Sequence, residues 1–209
     1  MIRIIGILVL LMFCITSCRT HYVKQLESGD MIFVESNEQN LSGAISRVTK
    51  VDEHNISFDH MGIVEKVAGS VNVLHATTQG GSIKQSLNDF IQAHKDRRLV
   101  VYRLKDEYKN AIPSALVRAN QMLGKPYNYL YIPSDTAYYC SDFIERAFRE
   151  SNIFKLEPMT FVNPATKEVD AYWKSFYDKH NVEVPEGLPG CNPNGLSHSD
   201  KIEKVFMIK

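Results

Sequence analysis

The sequence predicts an α+β fold, an antiparallel sheet packed against helices, for three reasons. Short apolar runs separated by turn residues crowd the first half of the chain, as strands do. Two stretches in the second half, 112–123 and 140–151, carry apolar residues at helical spacing instead. The strands come before this helix pair rather than alternating with helices, which argues against a βαβ architecture.

Taken in order, Arg19 to Glu27 is a polar leader, and Ser28-Gly29-Asp30 is a turn signal. Met31-Ile32-Phe33-Val34 is an uninterrupted apolar run, the pattern of a buried strand. Glu35 to Gly43 reads as a polar loop and 44–51 as a short helix. Asp59 to Glu65 and Val71 to Ala76 flank a Gly69-Ser70 turn, so 60–76 is predicted to be a β-hairpin. A short strand follows at 82–86, then a capped helical turn starting at Ser86. Leu99 to Leu104 is a further strand. Ile112, Ala115, Leu116, Ala119, Met122 and Leu123 form one helical face, with Pro113 in its first turn and Gly124 as its stop. The loop 125–139 is rich in tyrosine. The proline-rich stretch 152–194 reads mostly as loop, with one helix near 169–180 and a closing strand near 202–206.

Length and composition suit one globular domain. The chain has 209 residues, and 44% of them are hydrophobic, enough for a real core. Its formal net charge of +0 gives no electrostatic basis for binding nucleic acid. The first residues read differently from the rest. A short positive start (Met1-Ile2-Arg3) precedes an apolar run from Ile4 to Ile15 and a small-residue cleavage site, Thr16-Ser17-Cys18. That run is short for a membrane span, which needs roughly 20 apolar residues. Residues 1–17 are therefore read as a signal peptide. Ile15-Thr16-Ser17-Cys18 resembles a bacterial lipobox, which implies that Cys18 is lipidated and anchors the mature chain to a membrane of the cell envelope. Residues 18–27 are then a tether and 28–209 a single domain. Of the four cysteines, Cys140 and Cys191 remain as thiols in that mature chain, and an envelope location permits a disulfide between them.

The residue that suggests chemistry is Cys140. Cys140, Phe143, Ile144, Ala147 and Phe148 share one helical face, and the period does not extend upstream. Cys140 thus falls in the first turn, where the helix dipole and unpaired N–H groups lower a thiol's pKa. The alternative is an inert core cysteine, since free Cys is often buried. A nucleophilic thiol needs a base and an orienting partner. His60 begins one strand of the hairpin and His75 ends the other, so an antiparallel pairing brings both imidazoles to one edge of the sheet, with the Cys140 helix packed against it.

Four motifs in order now resemble a known family: Ser28-Gly29-Asp30, Asp59-His60-Met61-Gly62-Ile63-Val64, Gly124-Lys125-Pro126-Tyr127 and Tyr139-Cys140-Ser141-Asp142. They are similar to the circularly permuted branch of the NlpC/P60 papain-like cysteine hydrolases, the YiiX/YaeF-type envelope lipoproteins, in which His precedes Cys. The segment Gly190-Cys191-Asn192-Pro193, with Leu196, Ser197 and Ser199, resembles a tail element of that branch. The resemblance implies a permuted papain-like fold with Cys140 as nucleophile, His60 as base and His75 as third residue. Asp142 stands where Glu is more usual, and Cys191 where Thr is common. Tyr127 and Tyr139 are candidates for substrate contact, or are plain packing.

The function that follows is an envelope cysteine hydrolase cleaving an amide bond, in a cell-wall-type peptide, with no cofactor. Relatives similar to lecithin retinol acyltransferase keep a lipid amide or ester, and acyl transfer, in view. Two other classes compete: a non-catalytic binding lipoprotein, and a zinc site built on His60, His75 and Cys140. The latter lacks C-x-x-C or H-E-x-x-H spacing.

Overall fold

The computed structural model describes residues 22–49 and 56–208. The signal peptide, Cys18 and the C-terminal end of the helix expected at 44–51 lie outside the described residues. The strands are β1 (Met31–Glu35), β2 (Phe58–Val67), β3 (Ser70–Thr77), β4 (Gly81–Ser86), β5 (Leu99–Leu104), the two-residue β6 (Glu157–Pro158) and β7 (Pro189–Gly190), and β8 (Ile202–Met207). The helices are α1 (Asn40–Thr49), α2 (Leu87–Ala93), α3 (Ile112–Gln121), α4 (Cys140–Phe148), α5 (Ala171–His180) and α6 (Pro193–Ser197). Residues 22–25 add a helical turn, and Asp106–Ala111 and Arg149–Ser151 are 3-10 turns.

Six strands form one sheet in the order β4-β3-β2-β1-β5-β8, with every neighbouring pair antiparallel. Alternation within β1 explains its unbroken apolar sequence. Met31 and Phe33 enter one core with Met61, Ile63, Leu74, Phe143 and Ile144, while Ile32 and Val34 enter a second with Val64, Val73, Leu87 and Phe90. Helices α3 and α4 therefore cover one face of the sheet and α2 covers the other. A third cluster, Ala44, Phe161, Trp173 and Tyr177, joins α1 to α5.

Local chemistry sets the element ends. The β2–β3 turn uses Ala68 and Gly69, both at positive φ (48° and 81°), the conformation that suits a two-residue hairpin. Ser86 caps α2 by accepting the Asp89 N–H at 3.1 Å. Asp170 caps α5 through the Tyr172 N–H at 3.0 Å, and Asn192 caps α6 through the Gly195 N–H at 2.8 Å.

Most expected elements are present. Three were not foreseen: the β6–β7 ladder, α6 and the 3-10 turn at Asp106–Ala111. The polar loop expected to reach Gly43 ends earlier, because α1 starts at Asn40.

Candidate active site

Helix α4 begins where Tyr139, in extended conformation, turns the chain, so Cys140 occupies the first helical position. All nine residues of α4 are buried. Its polar side chains survive burial by pairing: Arg146 reaches Asp142 and Asp135, each at 2.7 Å, and Arg149 pairs with Glu145. The tail is fastened to the first turn of the same helix. The Ser141 hydroxyl donates to the Cys191 carbonyl at 3.1 Å, and the Cys191 N–H donates to the Tyr139 hydroxyl at 3.3 Å. Cys140 and Cys191 are both free thiols.

The thiol meets β2 at its edge. The β2–β3 ladder runs from Val67↔Ser70 to Ile63↔Leu74 and stops there, so the next part of β2 is left unpaired on its β3 side. Cys140 fills that gap. Its Sγ lies 3.8 Å from the Asp59 carbonyl oxygen and takes a backbone N–H from Met61, so it touches the two residues that bracket His60.

The sequence reading of the thiol as acidified is corrected by this setting. Burial, and then the nearby Asp59 charge, push Cys140 up to about 12, against the N–H groups of Ser141, Met61 and Cys140 itself. A helix terminus is worth up to about 2 kcal/mol, which the desolvation of a buried thiolate exceeds here. Asp59 is itself held by an ion pair with Arg97, which also donates to the Glu35 carbonyl.

The structure brings the two predicted histidines together. His60 Nε2 and His75 Nδ1 are 2.8 Å apart, meeting just beyond the last registered partners of the ladder, Ile63 and Leu74. The rings do not face the Cys140 helix, as the sequence reading had them. By parity, His60 goes with Val64 and His75 with Val73, on the α2 side of the sheet. There the His60 ring stacks on His94 (5.4 Å, 19°) and Phe90 (6.1 Å, 26°).

Gln85 completes the row. Its Oε1 lies 3.1 Å from His75 Nε2. With the Gln85 amide turned so that its oxygen, an acceptor, faces the ring, His75 carries its proton on Nε2 and presents the Nδ1 lone pair. His60 then donates through Nε2–H and keeps a lone pair on Nδ1. Burial lowers the pKa of both rings, His75 to about 4 and His60 well below its usual value, with the neighbouring histidines adding to the shift. Both are neutral at pH 7.

Cys140 and Asp59 open onto a cavity of about 620 Å³, whose walls include Tyr127, Tyr131, Tyr139, Phe161 and Trp173. The two predicted tyrosines are thus beside the thiol, and Tyr139 also anchors the tail. Tyr131 was missed. Its phenol shares a hydrogen bond with that of Tyr127, and its backbone sits at φ 57°. Gln85, His94 and Asp59 were missed as well. Strand alternation beside His75 was the one available signal for Gln85. Among the described residues, no group of three or more His, Cys, Asp or Glu side chains is arranged to hold a metal ion.

Comparison with known proteins agrees with this fold. A family model described as permuted papain-like amidase enzyme, YaeF/YiiX, C92 family, matches residues 25–206. Among solved structures the chain is similar to the metalloprotein yiiX from Escherichia coli O157:H7, with a TM-score of 0.69 and 22% identity, covering 87% of this chain and 97% of that one. A search among curated proteins finds no match. The family label differs slightly from the NlpC/P60 grouping that the motifs resemble, and it carries the same permuted papain-like layout. The chain belongs to the YaeF/YiiX family of permuted papain-like amidases and is a cysteine hydrolase.

Proposed function

We propose that this protein is a cell-envelope cysteine amidase in which Cys140 is the nucleophile, His60 the general base and His75 its orienting partner. The observation that supports the reading is a buried thiol in the first turn of α4 that faces the cavity and rests on the main chain of Asp59 and Met61, on the strand that also carries His60 of the His60–His75 pair. With the thiol and both rings neutral, the reaction starts by general-base transfer rather than from a standing ion pair. Nδ1 of His60 takes the thiol proton as Sγ bonds to the amide carbon. Because the His60 ring lies on the α2 side of the sheet, stacked on Phe90 and His94, this step requires the ring to turn past the strand to the Cys140 side. The Cys140 N–H at the helix start supports the oxyanion. The C–N bond then breaks, the amine leaves with the proton from His60, and a thioester remains. Water, deprotonated by the same ring, releases the acid and restores the thiol.

For the substrate, the family resemblance favours a peptide of the cell-wall type. The aromatic and aliphatic cavity wall, with Ile45, Val48, Phe161 and Trp173, favours a second reading, an amide or ester with an apolar acyl group. Incubation with purified muropeptides and with N-acyl lipids, followed by mass analysis, separates the two. Cys140→Ala should abolish turnover of the accepted substrate while leaving the fold intact; a fully active variant would refute the nucleophile. Tyr127 and Tyr139 contact the substrate in this reading. Lipidated Cys18 holds the enzyme at an envelope membrane, so Cys18→Ser should move the protein to the soluble fraction.

A further inference from the structure

We infer that Gln85 is a positioning residue of this reaction: its amide oxygen fixes the proton of His75 and, through it, leaves the lone pair of His60 on Nδ1. The inference rests on His60 being the base. Neither imidazole chooses its own tautomer, because two neutral rings joined by one hydrogen bond have two equivalent arrangements. Either His60 donates through Nε2 and keeps Nδ1 open, or His75 donates through Nδ1 and leaves the His60 proton on Nδ1, where it blocks proton uptake. The orientation of the amide one residue further out, with its oxygen toward His75, selects the first arrangement.

Gln85 lies on β4, opposite Val73 in the register, so its side chain emerges on the same face of the sheet as His75. Its Oε1 is 3.1 Å from His75 Nε2. It accepts from His75 as the second imidazole accepts from the first, and the proton positions run in one direction from β2 through β3 to β4. The charged and titratable groups around the row are His60, His75, His94 beyond the end of α2, and Arg97 with its partner Asp59.

The test is imidazole nitrogen NMR on the unliganded protein, with Gln85→Leu and Gln85→Glu variants. The wild type should show a pyridine-type Nδ1 and a pyrrole-type Nε2 for His60. Gln85→Leu removes the acceptor, so both nitrogens should move to averaged values and kcat should fall on the order of tenfold or more, as for other wrong-tautomer imidazoles, with KM unchanged. Gln85→Glu keeps an acceptor and adds a negative charge. It should preserve the tautomer and shift the acidic limb of kcat/KM to higher pH, because the carboxylate stabilises the protonated rings. A protonated Nδ1 on wild-type His60, or a Leu variant with unchanged shifts and unchanged kcat, would overturn the inference. The nitrogen shifts do not depend on turnover, so an active Cys140→Ala protein would refute the catalytic reading while leaving the tautomer assignment to be judged by itself.

Discussion

The Cys140 thiol should be quiescent in the free enzyme, and the structure sets the scale. With the thiol pushed up to about 12, the thiolate fraction at pH 8 is about 10⁻⁴, against roughly 0.24 for a free cysteine of pKa about 8.5. A more basic thiolate attacks faster, by a Brønsted slope of about 0.4–0.5, which returns roughly 40-fold. Alkylation by iodoacetamide at pH 8 should therefore be on the order of 60-fold slower than that of free cysteine. Mass analysis of the peptide containing Cys140 separates this site from Cys191. Asp59→Asn removes the nearest negative charge and should speed the reaction. Each unit of lowered pKa gains about tenfold in thiolate and loses about threefold in nucleophilicity, a net three- to fourfold. A rate flat from pH 5 to 8, at or above that of free cysteine, would mean a standing thiolate and would refute the general-base account.

Acid stability should reflect two opposed groups. His75 titrates at about 4 when folded and near 6.5 when unfolded, so the unfolded chain binds its proton first. Stability present above pH 6.5 is lost as the pH falls toward 4, by up to about 3 kcal/mol, and His60 acts with the same sign. Asp142 runs the other way, since burial raises its folded pKa to about 6 from 3.8. Stability is present below 3.8 and lost as the pH rises through 6. Asp142→Asn should thus steepen the loss of stability on going from pH 7 to 4.5 in urea unfolding, and an unchanged slope would show that the carboxylate does not titrate in this window. Separately, a Cβ at Gly62 would fall 2.5 Å from Val73 Cγ1 and 3.1 Å from His75 Cβ. Gly62→Ala should cost about 1–3 kcal/mol through overpacking and loosen the imidazole pair, whereas a loss below about 0.5 kcal/mol would show that β3 yields freely.

The strands and helices were legible because their signals are local: the apolar run Met31–Val34, the Ser86 cap, Pro113 in the first turn of α3, and the helical spacing from Cys140. The His60–His75 pair was legible from hairpin geometry. That both rings share a face with Val64 and Val73 follows from alternation, but that α2 and not α4 covers this face is a tertiary fact the sequence does not carry. The charge state of Cys140 was misjudged for a related reason. The helix terminus is visible in sequence, but the depth of burial and the neighbouring Asp59 are tertiary facts. Helix α6 was hidden in a proline-rich stretch, although Asn192-Pro193 is an ordinary cap followed by an N-terminal proline.

The three separate cores have a consequence for how such an enzyme diversifies. The thiol and its strand belong to the sheet and α4, whereas the opposite wall of the cavity is drawn from Phe161 and Trp173 in the α1–α5 cluster. That cluster is tied together by the Arg47–Asp170 ion pair at 2.8 Å and by the Trp173 indole on the Ala44 carbonyl. Trp173 also packs on Tyr131, and Tyr131 on Tyr139 just before Cys140, so the two walls meet at one tyrosine. A change in the α1–α5 cluster would therefore alter the far side of the chamber first and reach the start of α4 only through Tyr131.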